Sequence, residues 1–259
     1  MADFRLQPIV DLYSGATVGL ELLAGQLSCP DWDAQQWRAW YARLPDILGR
    51  YAPEFMLTFV NATGLQILDP EIRDSLLRCA SRRCVVLEWT ENPQPCDLAS
   101  VIDTIQVMSP AFAALAVDDV GDGIDGIGRT LALSPNFAKL SMKLLWHARF
   151  RPAFLQHIGD LFSGMGAAVI AEGVETQNDL ALARASGVRY GQGFLFGAGH
   201  VDDSAGHAGG PNKNGEAPPE MIVRFAPAIN RSSLTCGSPL CRGRRAMCKP
   251  FPPRQKKAS

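Results

Sequence analysis

A strong excess of either charge is missing: 25 Lys and Arg stand against 26 Asp and Glu, a net −1. That balance gives no reason to expect a nucleic acid or a membrane surface as the partner of the whole chain. Long apolar runs are also missing, and none approaches the ~20 residues needed to span a bilayer. The opening MADFRLQPIV lacks the basic segment and apolar stretch of a secretion signal. The seven cysteines are odd in number and irregularly spaced, which points to reduced thiols and a cytoplasmic setting. Zinc is not expected. Cys236, Cys241 and Cys248, near His207, form no CxxC pair, and His147 and His157 have no companion at ligand spacing.

What is present is an alternation. Apolar β-rich runs at Gln7–Leu12, Val18–Leu23, Met56–Asn61, Cys84–Trp89, Ala113–Val117, Phe137–Ser141, Ala167–Ala171 and Tyr190–Phe196 are mostly separated by amphipathic stretches. Continuous apolar runs suit strands buried on both faces. Eight of them in 259 residues, 47% hydrophobic, predict one (β/α)8 barrel, a fold of about 250 residues. The first two runs are joined by Tyr13-Ser14-Gly15, too short for a helix, and so predict an antiparallel hairpin and an irregular start. Helices are expected at Asp31–Tyr51, broken or kinked at Pro45, from Asp69-Pro70 onward, and at Asp97–Met108, Ala148–Met165 and Thr176–Ser186. Trp32, Trp37 and Trp40 are expected to pack the first of these. The barrel is assigned to residues 1–199. Residues 200–259, rich in Gly, Pro, Ser and Lys/Arg, read as a largely disordered tail whose basic runs are solvated.

Five strand-like runs end on a possible metal ligand: Glu21, Asn61, Glu88, Asp118 with Asp119, and Glu172 with Glu175. A sixth carries Lys139. Strand ends converge at the mouth of a (β/α) barrel, so one polar group per strand can assemble a site there. Carboxylates and an amide oxygen without His or Cys suit a hard divalent cation, Mg²⁺ or Mn²⁺. The adjacent Asp118 and Asp119 are the sharpest element, because neighbouring carboxylates repel unless a cation intervenes.

The ordered motifs QPIVDL, GLELL, VNAT, LEWTE, DDVGDG, KLS, AEGVET and YGQGF give the stretch Phe4–Phe196 a resemblance to the EAL-domain family of bacterial cyclic-di-GMP phosphodiesterases and their non-catalytic relatives. The resemblance implies a modified (β/α)8 TIM-like barrel with an antiparallel first strand. It implies that Glu21, Asn61, Glu88 and Asp118 hold a first metal, with Asp118, Asp119 and Glu172 around a second. Lys139, Glu172 and Asp119 would carry the catalysis, with Lys139 near the attacking water. Glu91 would steady the loop after the Asp pair, and Gln7, Glu175 and Gln192 would support the site and the substrate. The implied partner is cyclic-di-GMP, the implied product linear 5′-pGpG, and a homodimer through the barrel is allowed. Four departures bear on activity: the loop after the Asp pair has Val120 for Phe and Asp122 for Thr, the segment between Gly25 and Met56 is shorter than usual with no helix before Gln7-Pro8-Ile9, and two more fall at single site positions. The arginine that follows the Glu-Ala-Leu signature and contacts substrate phosphate is Gly25 here, and the Asp two residues after the lysine is Ser141. They leave a second reading open: a degenerate module acting as a non-catalytic cyclic-di-GMP receptor or a protein-binding regulator.

Overall fold

The computed structural model describes residues 4–25, 31–91, 95–122 and 126–197. The assigned tail 200–259 lies outside the described residues. Eight strands close in chain order into one barrel: β1 (Phe4–Asp11), β2 (Thr17–Ala24), β3 (Leu57–Ala62), β4 (Val85–Trp89), β5 (Ala114–Val120), β6 (Phe137–Leu140), β7 (Ala168–Ala171) and β8 (Tyr190–Gln192). β1 is antiparallel to both of its neighbours, and the other neighbouring pairs are parallel. The hairpin expected at residues 13–15 is therefore present. Asp11 Oδ1 accepts from the backbone N–H groups of Tyr13 and Ser14, and Gly15 takes the left-handed φ of +73° that the turn requires. Because β1 runs backwards, its first residues lie at the same end as the C-termini of the other strands.

Two apolar layers hold the barrel. Inside, Ile9, Phe59, Val86, Ala116, Phe137 and Ile170 are among the side chains that fill the lumen, with Phe59 and Phe137 meeting edge to face at 5.2 Å. This interior floor lies below the strand ends. The larger layer lies between the strands and the helices. The helices are α1 (Ala34–Tyr51), α2 (Gly64–Leu68), α3 (Pro70–Ala80), α4 (Leu98–Met108), α5 (Gly126–Leu133), α6 (Met142–Ala148), α7 (Pro152–Gly164) and α8 (Gln177–Ala185). Asp33, Asp69, Asp97 and Thr176 each accept from a backbone N–H in the first turn that follows. Trp40 is buried in α1 and packs on Trp32, which also meets Trp37 edge to face.

Three local expectations need correction. Pro45 does not break α1. A proline inside a helix costs about 3 kcal/mol, whereas burying Trp40, Tyr41, Leu44, Ile47 and Leu48 gains roughly 1.5–3 kcal/mol per large apolar side chain. The helix expected over 148–165 starts later, at Pro152, as α7, and a separate short helix, α6, precedes it. Pro152 occupies the first position of α7 and pushes Arg151 to φ −146°, ψ 72°, which ends the preceding turn. The glycine-rich stretch after Asp119, expected to be loop, yields α5 from Gly126. A Cβ on Gly126 would meet the Val120 Cα at 3.0 Å, so its missing side chain lets the helix start against the strand end.

Candidate metal centre

The strand ends bring the expected residues together. Glu21, Glu88, Asp118, Lys139 and Gln192 are buried at the mouth, Asn61, Asp119, Glu172 and Gln7 half-buried. Lys139 is at the centre. Its Nζ lies 2.6 Å from Glu88 Oε1, 2.8 Å from Glu172 Oε1, 3.1 Å from Asp118 Oδ1 and 3.2 Å from Glu21 Oε2, and the Glu21 contact is aligned as a hydrogen bond. Burial alone would drive this ammonium toward neutrality. Asp118, Glu172, Glu21 and Glu88 outweigh it and hold the proton well above the usual lysine range. The four carboxylates thus favour the charged form of Lys139.

How two adjacent aspartates serve one site was not visible in the sequence. Successive side chains of a strand point to opposite faces. Asp119 escapes that rule because its φ is +54°, a left-handed conformation, and the pairing of β5 with β6 slips between Val117 and Val120. The irregularity turns Asp119 inward, so that carboxylate oxygens of Asp118, Asp119 and Glu172 all lie within 4.8 Å of one another. Such a conformation is strained for a residue other than glycine and is retained where its surroundings fix it. Here Asp119 O accepts from Asp122 N, Gly121 has φ +99° with Leu144 packed where its Cβ would be, and Lys143 on α6 pairs with Asp122.

The carboxylates do not share one protonation state. Burial, with repulsion from Glu21 and Asp118, raises Glu88 well above its usual range. Burial and repulsion from Asp118, Glu21 and Asp119 do the same to Glu172. Burial and Asp118 push Asp119 up to about 6. Asp118 is also opposed by burial, yet the Lys139 ammonium beside it holds it below the usual range. Five carboxylates (Glu21, Glu88, Asp118, Asp119, Glu172) against one ammonium leave a formal charge of −4 when all are ionised, which two divalent cations would balance.

The oxygen atoms fit such ions. Asn61 Nδ2 donates to Glu21 Oε1 at 2.5 Å, which leaves Asn61 Oδ1 buried with no hydrogen-bond donor. Glu88 Oε2 is likewise buried without one, and Glu88 Oε1 and Asp118 Oδ1, also buried, have the Lys139 ammonium beside them. Unmet buried acceptors are costly, and a hard cation is what such oxygens accept. Gln192 Nε2 donates to Gln7 Oε1 at 2.9 Å and to Glu21 Oε2, tying β8, β1 and β2 together under the carboxylates. Glu91 and Glu175 are exposed, and Glu91 is among the acidic groups acting on Lys143, the partner of Asp122 in the loop after the Asp pair.

Three residues have roles that the sequence concealed. Arg129 of α5 is buried. Its guanidinium donates to Trp89 O at 2.9 Å and Asp118 O at 3.1 Å and lies 5.5 Å from the Trp89 ring centroid, fixing the ends of β4 and β5 beside Glu88 and Asp118. Ser141 is buried and its Oγ accepts from Leu144 N at 3.4 Å, so the side chain at this departure caps α6. Gly25 has φ +78°. The backbone at this position suits glycine, and an arginine there would be strained.

A closed barrel that gathers carboxylates, an amide and a buried ammonium at the C-terminal mouth of its parallel strands places its polar groups where (β/α) barrels build their sites. The chain belongs to the EAL-domain family, whose model matches residues 34–198. It is 29% identical over 146 residues to the probable cyclic di-GMP phosphodiesterase PdeA of Escherichia coli, a match covering 53% of this chain and 20% of that protein. It is 24% identical over 164 residues to the probable cyclic di-GMP phosphodiesterase PdeG of the same organism, covering 60% and 32%. The chain thus spans a fifth to a third of the length of these relatives. Among solved structures, the Klebsiella pneumoniae BlrP1 manganese/cyclic-di-GMP complex superposes with a TM-score of 0.63 at 22% identity, covering 75% of this chain and 55% of that one. Bacillus subtilis YkuI, in complex with cyclic-di-GMP and calcium, gives 0.59 at 23%, covering 75% and 54%. At these identities the likeness establishes the fold. No helix among the described residues is long and apolar enough to cross a membrane.

Proposed function

We propose that the chain is a metal-dependent phosphodiesterase that hydrolyses cyclic-di-GMP to linear 5′-pGpG and so lowers this second messenger. The observation that carries the reading is the convergence of four carboxylates on one buried ammonium, with Asp119 beside Asp118 and Glu172 and with Asn61 Oδ1 and Glu88 Oε2 buried without a hydrogen-bond donor. Glu21, Asn61, Glu88 and Asp118 would hold one Mg²⁺ or Mn²⁺, and Asp118, Asp119 and Glu172 a second. Bound there, such ions lower the pKa of water and offset charge on phosphate oxygens.

The chain's own groups supply the rest. Hydrolysis joins a water oxygen to phosphorus, breaks one phosphorus–oxygen bond to a ribose 3′ carbon, moves one water proton to a base and delivers one to the leaving oxygen. Asp119 and Glu172, at the open side of the cluster, can accept that proton. Lys139, held charged, faces the negative charge that grows on the phosphoryl oxygens. Arg129 keeps Glu88 and Asp118 in place, and Gln192 keeps Glu21 in place.

A second reading, a receptor that binds the cyclic dinucleotide without cleaving it or a regulator that binds a protein, is favoured by Gly25 and Ser141, neither of which offers a charged group to substrate or metal. The two separate in one assay. Purified protein with cyclic-di-GMP and saturating Mn²⁺ should release 5′-pGpG, and Lys139→Ala and Glu172→Gln should not. Wild type as silent as Glu172→Gln would reject the enzyme. Retained cyclic-di-GMP binding would then identify the receptor.

A further inference from the structure

We propose that Arg5 is the guanidinium that grips a substrate phosphodiester at the mouth of the barrel, a task position 25 does not fill. The inference rests on the phosphodiesterase reading above. It begins with the faces of β1. Phe4 points outward, with ring contacts to Trp40 at 6.4 Å and Tyr51 at 5.2 Å, and Leu6 packs on the same outer layer. Gln7 meets Gln192 in the interior, and Ile9 belongs to the lumen cluster. Residues along a strand alternate between faces. Arg5, between Phe4 and Leu6, therefore shares the inner face with Gln7 and Ile9.

Register then sets its height. Gln7 is opposite Glu21 and Arg5 opposite Leu23, with no slip between them. Since β1 runs backwards, Arg5 is nearer the mouth than Gln7, by two residues or about 7 Å. A half-buried guanidinium thus stands one layer above the Gln7, Gln192 and Glu21 contacts, on the rim of a site lined by five carboxylates. An anionic phosphodiester meets repulsion from that lining, and a cation on the rim is where attraction has to come from. The guanidinium fork matches two phosphate oxygens, which an ammonium does not. Gly25 lies just past the end of β2, the strand paired with β1, and its left-handed backbone disfavours any side chain.

The test measures binding by calorimetry in Ca²⁺ for wild type, Arg5→Ala and Arg5→Lys. The probes are cyclic-di-GMP and the simple diester bis(4-nitrophenyl) phosphate, with melting temperature and Ca²⁺ affinity recorded for each variant. Arg5→Ala should weaken both probes by about 10- to 100-fold, the usual scale for a charge-assisted contact, with Arg5→Lys between and with fold and Ca²⁺ affinity intact. If the alanine variant does not fold, Arg5→Lys carries the test, and a loss restricted to the two probes supports the role. Equal binding of cyclic-di-GMP by wild type and the variants overturns the role of Arg5 and leaves the phosphodiesterase reading standing. Wild type that ignores cyclic-di-GMP, yet binds the simple diester through Arg5, removes that reading and keeps Arg5 as a phosphodiester contact. Wild type that binds neither probe rejects both.

Discussion

Divalent metal should stabilise this barrel strongly at neutral pH and weakly in mild acid, and the geometry sets both the size and the sign. Glu88 and Glu172 are raised well above the usual range, and Asp119 reaches about 6. Between the unfolded carboxylate pKa near 4 and these raised values, the metal-free fold holds more protons than the unfolded chain, so its stability falls as pH rises through that window. The contribution is fully present below about pH 4 and is lost as the pH passes the folded values. A cation needs the same oxygens unprotonated, so its affinity rises over the same window. Metal at a hundred times its dissociation constant adds about 2.7 kcal/mol. For a domain of this size that is roughly 5–11 °C in melting temperature, at about 2–4 °C per kcal/mol.

The assay is a set of melts by circular dichroism from pH 5 to pH 8, with EDTA or with excess Mn²⁺. The expected result is a melting temperature in EDTA that declines with pH and a Mn²⁺ increment that grows with pH. Asp118→Asn should abolish most of the increment, because Asp118 faces both proposed ions. An increment that is independent of pH and equal in wild type and Asp118→Asn would refute the argument, since the metal would then be acting elsewhere.

Other outcomes follow from single contacts. Lys139→Met removes the ammonium held among the four carboxylates and should destabilise the metal-free protein at pH 8 by about 3–5 kcal/mol, much less at pH 5, read from denaturant melts. Arg129→Met removes donors to Trp89 O and Asp118 O and should weaken Mn²⁺ binding in a titration while the far-ultraviolet spectrum stays native. Ser141→Asp should fold, since Asp caps a helix as well as Ser, and should leave turnover of cyclic-di-GMP largely unchanged, because the side chain at 141 is engaged by Leu144 N; a large rise would show that it reaches the site. Gly25→Arg should cost about 1 kcal/mol or more through its left-handed backbone and should bring no gain in cyclic-di-GMP affinity.

The barrel was legible because apolar runs, turn residues and caps report local preferences that the tertiary structure here obeys. Asp33, Asp69, Asp97 and Thr176 begin helices as short polar residues ahead of apolar periodicity do, and Tyr13-Ser14-Gly15 makes its turn. The ligand positions were legible because they end strands. What could not be read is what depends on a backbone torsion or a distant partner. Asp119 joins Asp118 only through a positive φ. Lys139 resembles a surface lysine until four strands surround it. Arg129 is 40 residues from Trp89 and 11 from Asp118, whose carbonyls accept from it, and no spacing rule links them. α5 was hidden by glycines that favour a loop locally but permit close packing on β5.

The cluster at the mouth is a poor device for holding a protein together. Buried ion pairs seldom stabilise more than the apolar side chains that could replace them, and this one is unbalanced, with five carboxylates for one ammonium. A fold built for stability alone would fill the strand ends as it fills the lumen below, with residues like Phe59, Val86 and Ile170. Instead Glu88 is fully buried with Oε2 lacking a hydrogen-bond donor, and Asp119 accepts a strained backbone to face the same point. Both costs are relieved by a positive charge arriving from outside. On the proposed function, the metal-free barrel would be the less stable partner of a bound state, and its electrostatic excess would drive binding of cations first and, once they offset the carboxylates, of an anionic phosphodiester between those cations and the rim.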